Sequence, residues 1–186
     1  MAEEKKRRGR RDHLNDFYRD VSGNYVYTGV CYEHTGGVRA NTALLRRLRL
    51  MAAVMAAAVL AGGCISAPGV GRCFYVLLPY AAQIGVTGSV VWAVARWQVR
   101  EYPLREYIYR ATVQALPGRC LAQAVLAGVG LAAETLYLLL SGSDGRGAAA
   151  IYLLLQACVL VLALLTRRAV PASDWQPEGC GGLTTE

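Results

Sequence analysis

Four long apolar runs limit what this chain can fold into. Leu50 to Gly71 is 22 residues without a charge, Cys73 to Ala95 is 23, and Gly147 to Thr166 is 20. A further run, Cys120 to Ser143, holds a single charge at Glu134. A hydrocarbon core about 30 Å thick needs about 20 helical residues at 1.5 Å each, so every run is long enough to cross it. A water-soluble four-helix bundle would need a polar stripe every third or fourth residue on each helix, and these runs have none.

The expected fold is an all-α integral membrane protein, with four transmembrane helices in two hairpins at about 46–65, 73–96, 119–141 and 147–167. Together they form a membrane domain at 43–168. A net charge of +7 could instead mean nucleic acid, but the distribution of the basic residues argues for topology. With the N-terminus inside, 18 Lys and Arg fall on the inner side and only Arg72 and Arg146 outside. The positive-inside rule then orients all four helices without conflict and puts both termini in the cytoplasm. No nucleic-acid partner is needed to explain the charge, and no binding motif for one is present.

The first run also resembles a cleaved leader, since arginines precede it and Ala61-Gly62-Gly63-Cys64 ends it. A secretory signal has that pattern near the start of the chain, whereas here it begins 45 residues in. The run is therefore expected to stay as a helix. Short loops and the lack of a cleaved leader suit a multi-pass protein of a bacterial inner membrane. Cys64 and Cys73 then face each other across the short outer loop Ser66 to Arg72. They could close a disulfide in an oxidising compartment, or simply fill space at the helix ends. The cysteines and histidines show no zinc, haem or CxxC spacing, so no metal or other cofactor is expected.

Outside the spans the signals are weaker. Residues 1–16 are a charge-rich tail expected to be disordered. Residues 17–42 are expected to hold a β-hairpin-like segment, because Tyr25 and Tyr27, then Val30 and Tyr32, alternate with period two between glycines. An isolated hairpin is marginal in water and needs a surface, its own chain's or a partner's. Between spans two and three, residues 103–116 fit a short amphipathic helix on an anionic inner leaflet. Pro103 would begin it, Glu106 and Arg110 would pair at i,i+4, and Pro117-Gly118 would end it. Tyr25, Tyr27, Tyr32, Tyr107, Arg105 and Arg110 are the candidate partner-binding residues. Residues 169–186, rich in Pro and Gly, are expected to be a flexible cytoplasmic tail.

Chemistry inside the membrane could be written only with Glu134, Gln83, Gln156, Gln123 and Thr87. Burying any of the charged or amide groups unpaired costs several kcal/mol, so each should face protein or water. Gln123, Ala127, Gly130 and Glu134 share one helical stripe, and Pro79, Gln83 and Thr87 share another. Gln83, Glu134 and Gln156 also fall at similar depth, which predicts a shared cluster around Glu134. Such a cluster would serve either as interhelical hydrogen-bonding glue or as a binding site for a proton, ion or small solute. Small residues spaced by four, Ala53, Ala57 and Ala61 on helix one, Ala81, Gly85 and Ser89 on helix two, and Ala124, Gly128 and Ala132 on helix three, suit close helix packing. Helix four, rich in Leu and without such a stripe, is therefore expected at the outside of the bundle.

Neither a Ser/His/Asp set nor a phosphate loop nor a second nearby carboxylate is present, so no enzyme is expected. The reading that follows is a non-catalytic accessory or interaction subunit of a membrane complex. Its partner would be another membrane or cytoplasmic protein, or a second copy. A small-solute or proton-coupled transporter using Glu134 is the alternative.

Overall fold

A computed structural model describes residues 17–19, 25–27, 29–65, 67–98, 102–141, 146–171 and 174–179. The tail 1–16, with His13, and Cys180 lie outside the described residues. The chain runs β1 (Phe17–Arg19), β2 (Tyr25–Tyr27), β3 (Val30–His34), α1 (Gly37–Cys64), α2 (Pro68–Arg72) and α3 (Phe74–Gln98). It continues through β4 (Leu104–Arg105), α4 (Glu106–Ala111), α5 (Leu116–Ser141), α6 (Arg146–Ala169) and β5 (Trp175–Gly179).

The protein is mostly helical, and three helical stretches are long and apolar enough to cross a membrane: Phe74–Gln98, Glu106–Leu140 and Arg146–Ala169. In the second of these, Glu106, Arg110 and Arg119 all sit near the start. Its apolar length therefore belongs to α5. Helix α1 packs with these three in a ring, against α3 and α6, while α5 also packs against α3 and α6. Helix α6, expected at the outside of the bundle, takes one place in this ring, between α1 and α5. It buries Ala149, Tyr152, Gln156, Val159, Ala163 and Thr166. Small residues at three of those positions bring its backbone close to its neighbours, spread along the helix instead of gathered at every fourth position.

Helix α1 starts nine residues earlier than the expected residue 46. Gly37 opens it at φ 69°, a backbone angle that a residue with a Cβ rarely adopts. The run from Val38 onward is rich in Ala, Leu, Arg and Met, all good helix formers, so the helix continues unbroken into the apolar segment.

The strands do not form one local hairpin. β1 and β2 pair antiparallel, with Phe17 opposite Tyr27 and Arg19 opposite Tyr25. β3 belongs instead to a separate antiparallel sheet of order β4-β3-β5, with Tyr32 opposite Leu104 on one side and Pro177 on the other. This sheet corrects two expectations. Within the tail, Trp175–Gly179 form β5, because β3 offers them a backbone ladder five residues long. The helix expected at 103–116 is shortened to Glu106–Ala111, because Leu104 and Arg105 are drawn into strand pairing. Pro117, expected to end that helix, sits one residue inside the start of α5, where its missing N–H costs nothing.

The sheet end of the bundle is tied by aromatic rings. Tyr32 stacks on Tyr109 at 4.0 Å between centroids. Trp175 meets Trp97 at 5.4 Å, His34 at 5.4 Å and Tyr109 at 5.6 Å. Trp97, Tyr109 and Trp175 are all buried. β5 therefore plugs the gap between the sheet and the last turn of α3.

Candidate functional site

The buried polar side chains line up inside the bundle. Proceeding from the sheet end, Arg119 at the start of α5 donates through Nη1 to the carbonyl of Ser89 on α3 at 2.9 Å. One turn deeper, Gln123 Nε2 donates to Thr87 Oγ1 at 2.8 Å, and Thr87 Oγ1 donates to its own helix at the Gln83 carbonyl. Next come Gln83 and Gln156, which donate to each other through both amides at 2.9 and 3.0 Å. Gln156 Nε2 also donates to the Tyr152 hydroxyl at 2.9 Å. At the far end Glu134 Oε1 accepts the Gly69 N–H at 3.4 Å.

Helix stripes account for this column, those of α3 and α5 as read from the sequence and a third on α6. Gln83 and Thr87 are four apart on α3, Gln123 and Glu134 share a stripe of α5, and Tyr152 and Gln156 are four apart on α6. Gly130, between the two α5 polar residues, leaves room for the facing amide: a Cβ there would lie 3.6 Å from Gln156. The centre of the cluster is the Gln83–Gln156 pair and not Glu134, whose hydrogen bond goes to α2.

This division decides what each part can do. The paired amides have a donor and an acceptor facing each other, so they join α3 to α6 without any titratable group. Glu134 differs. Its residue is fully buried, its one bond is long, and Oε2 has no hydrogen-bond partner among the described residues. Gln123 Oε1 is unpartnered in the same way. Glu134 is the carboxyl group of this column.

The sequence reading missed Gly69, Tyr152 and α2. The outer loop Ser66–Arg72 was expected to be a plain turn, but Pro68 begins a five-residue helix that packs on α3, α5 and α6. Gly69 is the buried residue of α2, and an added Cβ there would run into Glu134 Oε2. Tyr152 had a legible signal, its place four residues before Gln156 on one stripe. Gly69 had none.

The remaining candidates are dispersed. Cys64 and Cys73 are both free thiols, the first exposed and the second half-buried, because α2 occupies the loop expected to bring them together. Cys31 is disulfide-bonded, while Cys120 and Cys158 are free. Tyr32 is committed to the Tyr109 stack and Tyr107 packs partly buried against the core. Arg110 is exposed and paired with Glu106, and Arg105 lies in β4. Tyr25 and Tyr27 lie in β2. β4 pairs with β3 and α4 packs on both, so Tyr32, Arg105, Tyr107 and Arg110 lie on adjoining elements, while Tyr25 and Tyr27 belong to the separate β1–β2 pair.

The small residues spaced by four on α1, Ala53, Ala57 and Ala61, are exposed instead of packed inward. On α3, Ala81 and Gly85 are exposed while Ser89 is half-buried, and Gly88, outside that stripe, is exposed as well. A Cβ added at Gly85 or Gly88 would meet nothing within 4 Å. The chain matches no known family model, curated protein or solved structure.

Proposed function

We propose that this protein is a four-span inner-membrane protein that acts as a non-catalytic interaction subunit. Its partner helix would seat on the small-residue faces of α1 and α3. The observation that carries this reading is the outward pair Gly85 and Gly88, at each of which an added Cβ would meet no packing neighbour within 4 Å among the described residues. Glycine in a helix interior costs about 1 kcal/mol relative to alanine, and here no internal contact repays that. In a bilayer, small outward residues let a neighbouring helix approach closely, which is how spans associate without a hydrophobic driving force. That partner is another membrane protein or a second copy of the chain.

In this reading α1 is the first of the spans and α1 with α3 forms one hairpin, α5 with α6 the other. Leu50–Cys64 lies in the hydrocarbon, while Arg46, Arg47 and Arg49 reach back to the headgroups. The arginine-rich sheet end and both termini face the cytoplasm and its anionic leaflet. Disulfides persist in oxidising compartments, so Cys31 would be a thiol in a reducing cytosol, with the β3–β5 ladder holding the sheet.

The test is purification of the tagged full-length protein from its native membranes in mild detergent, with native mass determination, beside Gly85→Ile and Gly88→Ile. A second polypeptide or second copy at fixed stoichiometry, lost in both variants, is the expected result. A bare monomer, or a complex indifferent to both substitutions, overturns it.

The unpartnered Glu134 Oε2 favours a second reading, a proton-coupled or small-solute transporter. Its test is proton flux into vesicles carrying the purified protein, which this reading requires and which Glu134→Gln would abolish.

A further inference from the structure

We propose that Glu134 is an exchangeable proton site inside the membrane, and that α2 is the plug that controls access to it through the close fit of Gly69. This inference rests on the second reading above and extends it.

The argument starts from the carboxyl group. A carboxylate with one long hydrogen bond and one bare oxygen is costly to hold away from water, so the resting group is the neutral acid. The acid must shed its proton to function, and a water-poor interior gives that proton nowhere to go. The element seated on the carboxyl is α2. Gly69 donates its N–H to Oε1, and its Cα stands where any side chain would strike Oε2. The residue is therefore glycine because of a close approach, not because of a special backbone angle.

Helix α2 has the features of a movable part. It has five residues, two of them glycines, Gly69 and Gly71, on either side of Val70. It is joined to α3 at Cys73, whose N–H bonds the Gly69 carbonyl. Gly71, two residues on, faces open space, so a methyl added there meets nothing. Tyr152 on α6 and Tyr75 on α3 interact electrostatically with the carboxyl, Cys73 and Tyr137 interact with Tyr75, and Arg72 is the charged residue of α2. Tyr152 already accepts from Gln156, which leaves its own O–H free to donate toward a deprotonated neighbour. Lifting α2 would admit water on the Gly69 side, while Tyr152 faces the carboxyl from α6.

The probe is dicyclohexylcarbodiimide, an apolar reagent that reacts with protonated carboxyls. The carboxyl oxygen adds to its central carbon and the carboxyl proton moves to one nitrogen. An acyl shift then leaves a stable N-acylurea with nothing expelled. Full-length protein in vesicles of phosphatidylethanolamine and phosphatidylglycerol is treated, and the adduct is located by peptide mass. Wild type should label slowly at Glu134, and faster as the pH falls. Gly69→Ala should label faster by on the order of ten-fold, since labelling follows the population with α2 lifted. Gly71→Ala should match wild type, and Glu134→Gln should not label at that position.

Equal rates in Gly69→Ala and wild type overturn the proposal, as does no labelling in either. If Gly69→Ala fails to fold, the double variant Gly69→Ala/Glu134→Ala removes the collision and should fold; failure of both overturns the proposal too. Proton flux measured in the same vesicles separates the two claims. Faster labelling of Gly69→Ala without wild-type flux keeps the plug and removes transport. Flux that depends on Glu134 but ignores Gly69→Ala does the reverse.

Discussion

Gln83 and Gln156, 73 positions apart, hold each other through two amide bonds of 2.9 and 3.0 Å in the middle of the bundle. Each supplies what the other lacks, so both are buried without an uncompensated donor or acceptor between the two side chains. The bond joins α3 to α6, which the ring arrangement does not otherwise bring into extensive contact.

Removing one member should therefore cost more than removing both. Gln83→Leu leaves the Gln156 amide without its partner and should destabilise by about 1 to 2 kcal/mol. The double variant Gln83→Leu/Gln156→Leu should recover much of that loss. A double-mutant cycle on unfolding in mixed detergent measures it; additive losses would show that the pair is not coupled.

Glycines in the same bundle should respond in opposite directions to alanine. A Cβ at Gly63 would collide with the Tyr80 hydroxyl, which donates to the Val59 carbonyl at 2.9 Å and fixes α3 against α1. Gly63→Ala should destabilise by about 1 to 3 kcal/mol. Gly85→Ala, meeting open space, should be neutral or stabilise by up to about 1 kcal/mol in the isolated protein. Thermal unfolding of the two variants in one detergent distinguishes them.

Alkaline pH should loosen the sheet. Burial raises the pKa of Tyr102 above its ordinary value near 10, partly offset by the His34 N–H that donates to its hydroxyl at 3.0 Å. Glu33 and Glu178 add to the rise. A group raised on folding contributes its stability fully below the unfolded pKa and loses it as pH climbs through the folded one. The sheet should therefore hold at neutral pH and weaken progressively above about 10. Near-ultraviolet circular dichroism of the Trp97–Trp175 cluster reports it, and Tyr102→Phe should move the transition.

Thiol labelling should follow exposure and side. An impermeant maleimide added to sealed vesicles should reach Cys64 from the face carrying α2, while buried Cys120 stays unmodified in the folded protein. Purified under oxidising conditions, Cys31 should react only after reduction. Labelling of Cys64 on right-side-out vesicles alone supports the proposed orientation; labelling on inverted vesicles alone reverses it.

The residue types and run lengths by themselves determined that this chain makes long apolar helices, where those helices lie, and how its arginines crowd toward one end. Those properties are local or compositional. The α3 and α5 polar stripes were also legible, because a helix fixes which residues share a face. What the sequence left open was which face turns inward. In a bilayer both the lipid and the protein interior accept apolar side chains, so periodicity does not separate them. Ala53, Ala57 and Ala61 therefore looked suited to internal packing and face outward instead. Only the tertiary structure decided the sheet, since β3, β4 and β5 come from three distant segments and each is too short to announce a partner. It alone decided that Gly69, a loop glycine by sequence, presses against Glu134 from 65 positions away. Contacts of that kind depend on where helices end in space, and no local pattern of residues records it.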